Sequence, residues 1–134
     1  MRFDTKISIV VRDDLAQWQR LNVTAFLASG IAAGAPEIIG EPYEDRDGNG
    51  YLSMFRQPVL IYEAGAADLA AAHRRALERD LAISIYTMEM FGTGHDDANR
   101  AVVRGAVTLD IAGIAVFGAR NAVDKVTKGI ALHA

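Results

Sequence analysis

Cysteine is absent from the 134 residues. That excludes disulfides, thiolate catalysis, Cys-ligated zinc and iron–sulfur clusters. No apolar run approaches the ~18 residues that span a bilayer. The first residues lead straight into an apolar strand, without the apolar core and small-residue cleavage site of a signal peptide, so a cytoplasmic protein is expected. Basic charge is scarce: 14 Lys and Arg stand against 17 Asp and Glu, for a net charge of −3. Dedicated nucleic-acid binders are usually basic, which weighs against nucleic acid as a partner. The three histidines form no His-x-x-x-His or Glu-x-x-His pair, so no metal site is expected. There is no Walker loop, no Gly-x-Gly-x-x-Gly and no Gly-x-Ser-x-Gly elbow. No cofactor is expected either.

What is present is a globular balance, 51% hydrophobic and 23% charged, which argues against disorder. The length suits one domain, residues 1–134. Residues 7–11 are apolar apart from Ser8 and read as a buried strand. Asp13 or Asp14 is expected to cap a helix over 15–29. Trp18, Leu21, Ala25, Ala28 and Ala32 fall on one face of it at helical spacing. Phe26, Leu27 and Ile31 lie off that stripe, so the helix carries more apolar surface than one face needs. Gly30, Gly34 and Pro36 are read as its end.

Residues 41–54 hold Asp-Gly and Asn-Gly turn dipeptides and read as a β-hairpin. Its acidic tip lacks the distal bidentate Glu of a calcium loop. Strands are expected over 58–63, 81–87 and 108–117, and helices over 68–79, 96–104 and 121–132. Asp96 is the expected cap of its helix, and Gly118 the turn after the last strand. The strand–helix–strand unit over 58–87 implies a parallel crossover. The expected fold is therefore a three-layer α/β/α sandwich with a mostly parallel mixed sheet and an added hairpin.

Two segments resemble peptidyl-tRNA hydrolase II. One is Ile9-Val10-Val11-Arg12-Asp13-Asp14-Leu15. The other is Gly113-Ile114-Ala115-Val116-Phe117-Gly118 followed by Val123-Asp124-Lys125-Val126-Thr127-Lys128-Gly129. The whole chain is similar to an uncharacterised bacterial family, number two thousand of the domains of unknown function. Arg12-Asp13-Asp14-Leu15, Leu21-Asn22-Val23-Thr24-Ala25-Phe26, Phe55-Arg56-Gln57-Pro58 and Arg120-Asn121-Ala122-Val123-Asp124-Lys125 carry that likeness. The resemblance implies a hydrolase-II-like sandwich with no activity attached. It also implies departures. Arg20 and Asn22 stand where the hydrolases place lysines. Residues 102–108 do not match the family's Asp-Ala-Gly-Arg-Thr-Gln-like segment. Efficient peptidyl-tRNA hydrolysis is not expected.

Ligands of open α/β sheets sit beyond the strand carboxyl ends. Arg12, Asp13, Thr24, Arg120 and Asn121 are the expected ligand-binding residues, with Asn22 and His95 in catalytic roles. Arg12, Asn22, His95 and Arg120 are expected to converge on one cleft. Two guanidiniums favour an anionic or nucleotide-derived small molecule. His95, behind Gly92-Thr93-Gly94, is the candidate general base. A plainer reading stands beside each. Arg12 pairs with a carboxylate, Asn22 faces solvent or bonds a loop, and His95 merely opens a helix. Three functions follow: a small-ligand binder, a hydrolase of an ester or amide related to aminoacyl-tRNA, or a dimeric interaction module. A homodimer is expected, with Phe26, Leu27 and Ile31 as its contacts.

Overall fold

A computed structural model describes residues 3–134. In chain order the elements are β1 (Thr5–Arg12), α1 (Gln17–Gly34), β2 (Tyr43–Glu44), β3 (Gly50–Tyr51), β4 (Val59–Ala64), α2 (Ala66–Leu77), β5 (Ala82–Thr87), α3 (Asp96–Gly105), β6 (Ile111–Ala119), α4 (Arg120–Val126) and β7 (Ala131–Leu132). Short 3-10 turns occupy Pro36–Ile38 and Met88–Gly92. β2 and β3 form the expected hairpin.

The other five strands make one sheet of order β5-β6-β1-β4-β7, with the apolar β1 in its middle. The sheet is not mostly parallel. β1 and β4 are parallel, while β6 with β1, β5 with β6 and β7 with β4 are antiparallel. The reason lies in α3, which buries none of its residues and does not carry the chain back along the sheet. The chain enters β6 at the end where β5 left it, with Thr87 opposite Ile111. A returning strand must then run the other way. β4 and β5 do run in one direction, but β6 and β1 lie between them.

Both faces of the sheet are covered. Ile7, Ile9 and Val11 of β1 pack under α1 with Val23, Leu27 and Ile31. Val10 faces the other way, into a cluster with Leu69, Ala72 and Ala76 of α2 and with Val123 and Val126 of α4. This alternation is the period of two expected of a strand with two buried faces.

α1 turns a different face inward from the expected one. Val23, Leu27 and Ile31 are buried, and Trp18 and Leu21 are exposed. Leu27 and Ile31 are each 1% exposed, so of the three expected dimer contacts only Phe26 reaches the surface. The helix comes close because Gly113 lies beneath it. A Cβ there would stand 2.7 Å from Val23 Cγ1. Gly30 lies inside α1 and does not end it; its Cβ would stand 2.9 Å from Cβ of Ser84.

The caps also differ. Ala16 is the N-cap of α1, and Gln19 Oε1 accepts from its backbone N–H at 2.9 Å. Asp14 is drawn instead to Arg12. Gly118 sits within β6 against Leu81. The closing helix stops at Val126, Gly129 takes φ +81°, and β7 returns to pair with β4. That short strand covers an edge whose backbone groups would otherwise be open.

Candidate functional site

Beyond the carboxyl end of β5 the chain folds into a 3-10 turn, a glycine loop and α3. Together with α1 these enclose a cavity of about 330 Å³. Its walls are aromatic. Trp18 packs edge-on to Phe91 at 6.0 Å between centroids, Phe91 tilts on Tyr86 at 5.0 Å, and Phe26 meets Tyr86 edge-on at 5.6 Å. Such tilted pairs are the favoured aromatic geometry. They join α1, β5 and the 3-10 turn into one wall.

The polar groups are few and distinct. Asn22 Nδ2 donates to the Tyr86 hydroxyl at 3.4 Å. Burial pushes the Tyr86 pKa up, and the Asn22 contact opposes this. The phenol is therefore protonated at neutral pH, and its proton has no acceptor among the described residues. Thr93 Oγ1 contacts the Met90 carbonyl at 2.9 Å and the Asn99 carboxamide oxygen. The Asn99 NH2 has no acceptor among the described residues. His95 Nδ1 accepts from the Ala98 backbone N–H at 3.3 Å, so His95, not Asp96, caps α3. That contact places the proton of the neutral ring on Nε2. The cavity thus offers a phenol, an imidazole N–H and a carboxamide NH2 as donors, with the Asn22 carbonyl as acceptor. Asp96 is the one carboxylate in the lining, and Arg100 binds it at 2.5 Å.

A family model for proteins of unknown function, DUF2000, matches residues 5–134. The chain belongs to the DUF2000 family. No curated protein matches it. Among solved structures it is similar to a protein of unknown function from Agrobacterium tumefaciens strain C58. The two are 51% identical, with a TM-score of 0.96, over 99% of this chain and 100% of the other.

In this DUF2000 fold two of the expected site residues, Asn22 and His95, do share a cavity. The arginines do not join them. Arg12 is buried, and its Nε and Nη2 bind Asp14 at 2.9 and 3.2 Å while its Nη1 binds Asp110 at 2.6 Å and the Ile111 carbonyl at 3.1 Å. It is a clamp between the end of β1 and the start of β6. Arg120 lies at the opposite end of the sheet. Its backbone N–H donates to the Asp4 carbonyl and its Nε to the Phe3 carbonyl. Eight strand residues at ~3.3 Å each put more than 20 Å between the two guanidiniums. Antiparallel β6 is the cause, since its carboxyl end lies beside the start of β1. Asn121 stays beside Arg120 in a separate shallow cavity. Thr24 Oγ1 donates to the Arg20 carbonyl one turn back, which commits it to α1. Asp13 is exposed near Gly65 at the start of α2.

A second cluster was not visible in the sequence. Arg20 Nη1 lies 3.3 Å from Glu63 Oε2 and 3.0 Å from His133 Nε2. β7 delivers His133 there, with its backbone N–H donating to the Ile61 carbonyl. Glu63 at a strand carboxyl end was the one available signal. His133 reads as a tail residue until β7 is seen.

Proposed function

We propose that this protein binds a small, planar, heterocyclic molecule in the cavity lined by Trp18, Phe26, Tyr86 and Phe91. The observation that carries it is the combination of an aromatic wall with separately placed hydrogen-bond groups. Flat rings gain stacking and edge contacts from such walls. Asn22, Tyr86, His95 and Asn99 match the mixed donors and acceptors on a heterocycle's edge. This narrows the nucleotide-derived reading to its ring. The anionic half loses Arg12, whose charge two carboxylates already meet.

Ester or amide hydrolysis fits less well. A general base needs a free lone pair, and the capping contact holds Nδ1 of His95. The resemblance to peptidyl-tRNA hydrolase II rests on the two end segments, and Arg20 and Asn22 depart from it at the lysine positions. It supports a shared scaffold rather than a shared reaction.

The chain has one tryptophan, so its indole N–H gives one signal in a proton–nitrogen spectrum. Quinoline, adenine and cytosine at millimolar concentration test the proposal. At least one should shift that signal saturably, and Asn22→Ala should weaken the binding about tenfold. No saturable shift with any of the three refutes it.

A second reading rests on the outer surface of α1. Leu21 is 67% exposed and Leu52 of the hairpin 88%. Residues 21–36 carry no charge. We propose that a second copy of the chain covers this face, since Leu21 stands one turn before Ala25 and Leu52 two residues before Met54 of an apolar groove that also takes in Ala28. Sedimentation should show a dimer at micromolar concentration, and Leu52→Lys a monomer. A wild-type monomer at that concentration refutes the dimer.

A further inference from the structure

The ring cavity does not stand alone. A second cavity of about 530 Å³ adjoins it, with Phe26, Met90, Asp96 and Asn99 lining both. Its additional apolar walls are Ile85 of β5 and Val103 of α3, and Arg100 and Arg104 line its rim. The two arginines differ. Arg100 is held by Asp96 at 2.5 Å and Asp97 at 2.6 Å. Arg104, one turn later, has no ion-pair or hydrogen-bond partner among the described residues. α3 buries no residue, although it presents this apolar side to the rest of the fold.

We infer that the ligand is elongated and amphipathic: a planar heterocyclic head in the ring cavity, an apolar tail along Ile85 and Val103, and an anionic end at Arg104. This rests on the proposed ring binding and deepens it. The apolar walls favour a hydrocarbon tail, because hydrocarbon leaves water there without losing hydrogen bonds. The unpaired guanidinium favours a carboxylate or phosphate at the far end, by charge-assisted bonds. Both cavities together lie within the ~300–1,000 Å³ range of small-molecule sites.

Calorimetric titration of the full chain with quinoline, 2-pentylquinoline and 5-(quinolin-2-yl)pentanoate tests the inference. The pentyl chain should tighten binding about tenfold over quinoline. The terminal carboxylate should add about fivefold more. Arg104→Ala, at an exposed position, should remove the carboxylate gain and leave the pentyl gain. Val103→Glu should remove the pentyl gain and leave quinoline binding unchanged. Equal binding of quinoline and 2-pentylquinoline overturns the elongated ligand while the ring proposal stands. So does a pentyl gain that survives Val103→Glu. A carboxylate gain that survives Arg104→Ala overturns the anionic end. If none of the three compounds binds, the elongated ligand is overturned, while the ring proposal is decided by adenine and cytosine.

Discussion

Helices α1 and α2 cover opposite faces of one sheet, yet they are built on different plans. α2 buries Leu69, Ala72 and Ala76, sets Arg74 toward water, and bonds Arg75 to the Val126 carbonyl at the end of α4. Its surface is used up by the core on one side and by solvent on the other. α1 buries Val23, Leu27 and Ile31, and still exposes Trp18, Leu21 and Phe26. A helix that only completes a core has no use for that second apolar face. On α1 it serves the ring cavity through Trp18 and Phe26. It also leaves Leu21 exposed. The lesson is that the sheet needs both helices equally, while the candidate site needs only α1.

The largest effect should come where the two helices are alike. Leu27→Ala and Leu69→Ala each remove a side chain at most 1% exposed. Each should cost about 3 kcal/mol in urea unfolding. A much smaller loss for Leu27→Ala would mean that α1 is not a true half of the core.

The next effect separates them. Gly113→Ala places a Cβ within 3.1 Å of Val23, Leu27 and the Val10 carbonyl. It should destabilise by about 2 kcal/mol, because α1 cannot move off without opening the ring cavity. Trp18 emission should shift along with stability. Gly34→Ala, at a helix end with nothing within 4 Å, should be neutral or stabilising by about 0.5 kcal/mol. If both alanines behave alike, close approach is not what positions α1.

Arg12→Met removes the clamp that holds the start of β6, at about 1.5 kcal/mol, since its carboxylate partners are half exposed. It should also change the acid limb. Arg12 holds the Asp14 carboxyl below its ordinary 3.8. The folded pKa lies under the unfolded one, so the stabilisation is present above about pH 4 and lost as pH falls through the folded value. Unfolding measured between pH 6 and pH 2 should show this loss in the wild type and a flatter profile in Arg12→Met. An unchanged acid limb would remove the clamp from the account.

The smallest effect on stability should come from the surface that distinguishes α1. Leu21→Lys should alter unfolding by less than about 0.5 kcal/mol. The same change should abolish any self-association seen by sedimentation. A large stability loss would place Leu21 in the core and erase the contrast with α2.

The order of strands and helices up to α4 was legible because it is written locally, whereas β7 lies in what reads as the closing helix. β-branched runs, turn dipeptides and the amphipathic pattern of 66–77 each mark one element, and the inward Leu69, Ala72 and Ala76 are marked by the charges opposite them. α1 gives no such contrast. With 16 successive uncharged residues, periodicity cannot tell which apolar stripe is buried, and close approach to Gly113 decides it. Asn22 was legible as an anomaly, a carboxamide inside an apolar helix. His95 was legible as a loop histidine beside a helix start. Their meeting depends on α1 crossing β5, a contact between segments more than 60 residues apart. Strand direction is also beyond local pattern, since a buried strand reads the same either way. The refusal of α3 to cover the sheet reversed β6, carried Arg120 to the far end and left Arg12 to its two carboxylates. Residue chemistry is a property of the sequence; which of those chemistries share a cavity is decided by the path of the chain between them.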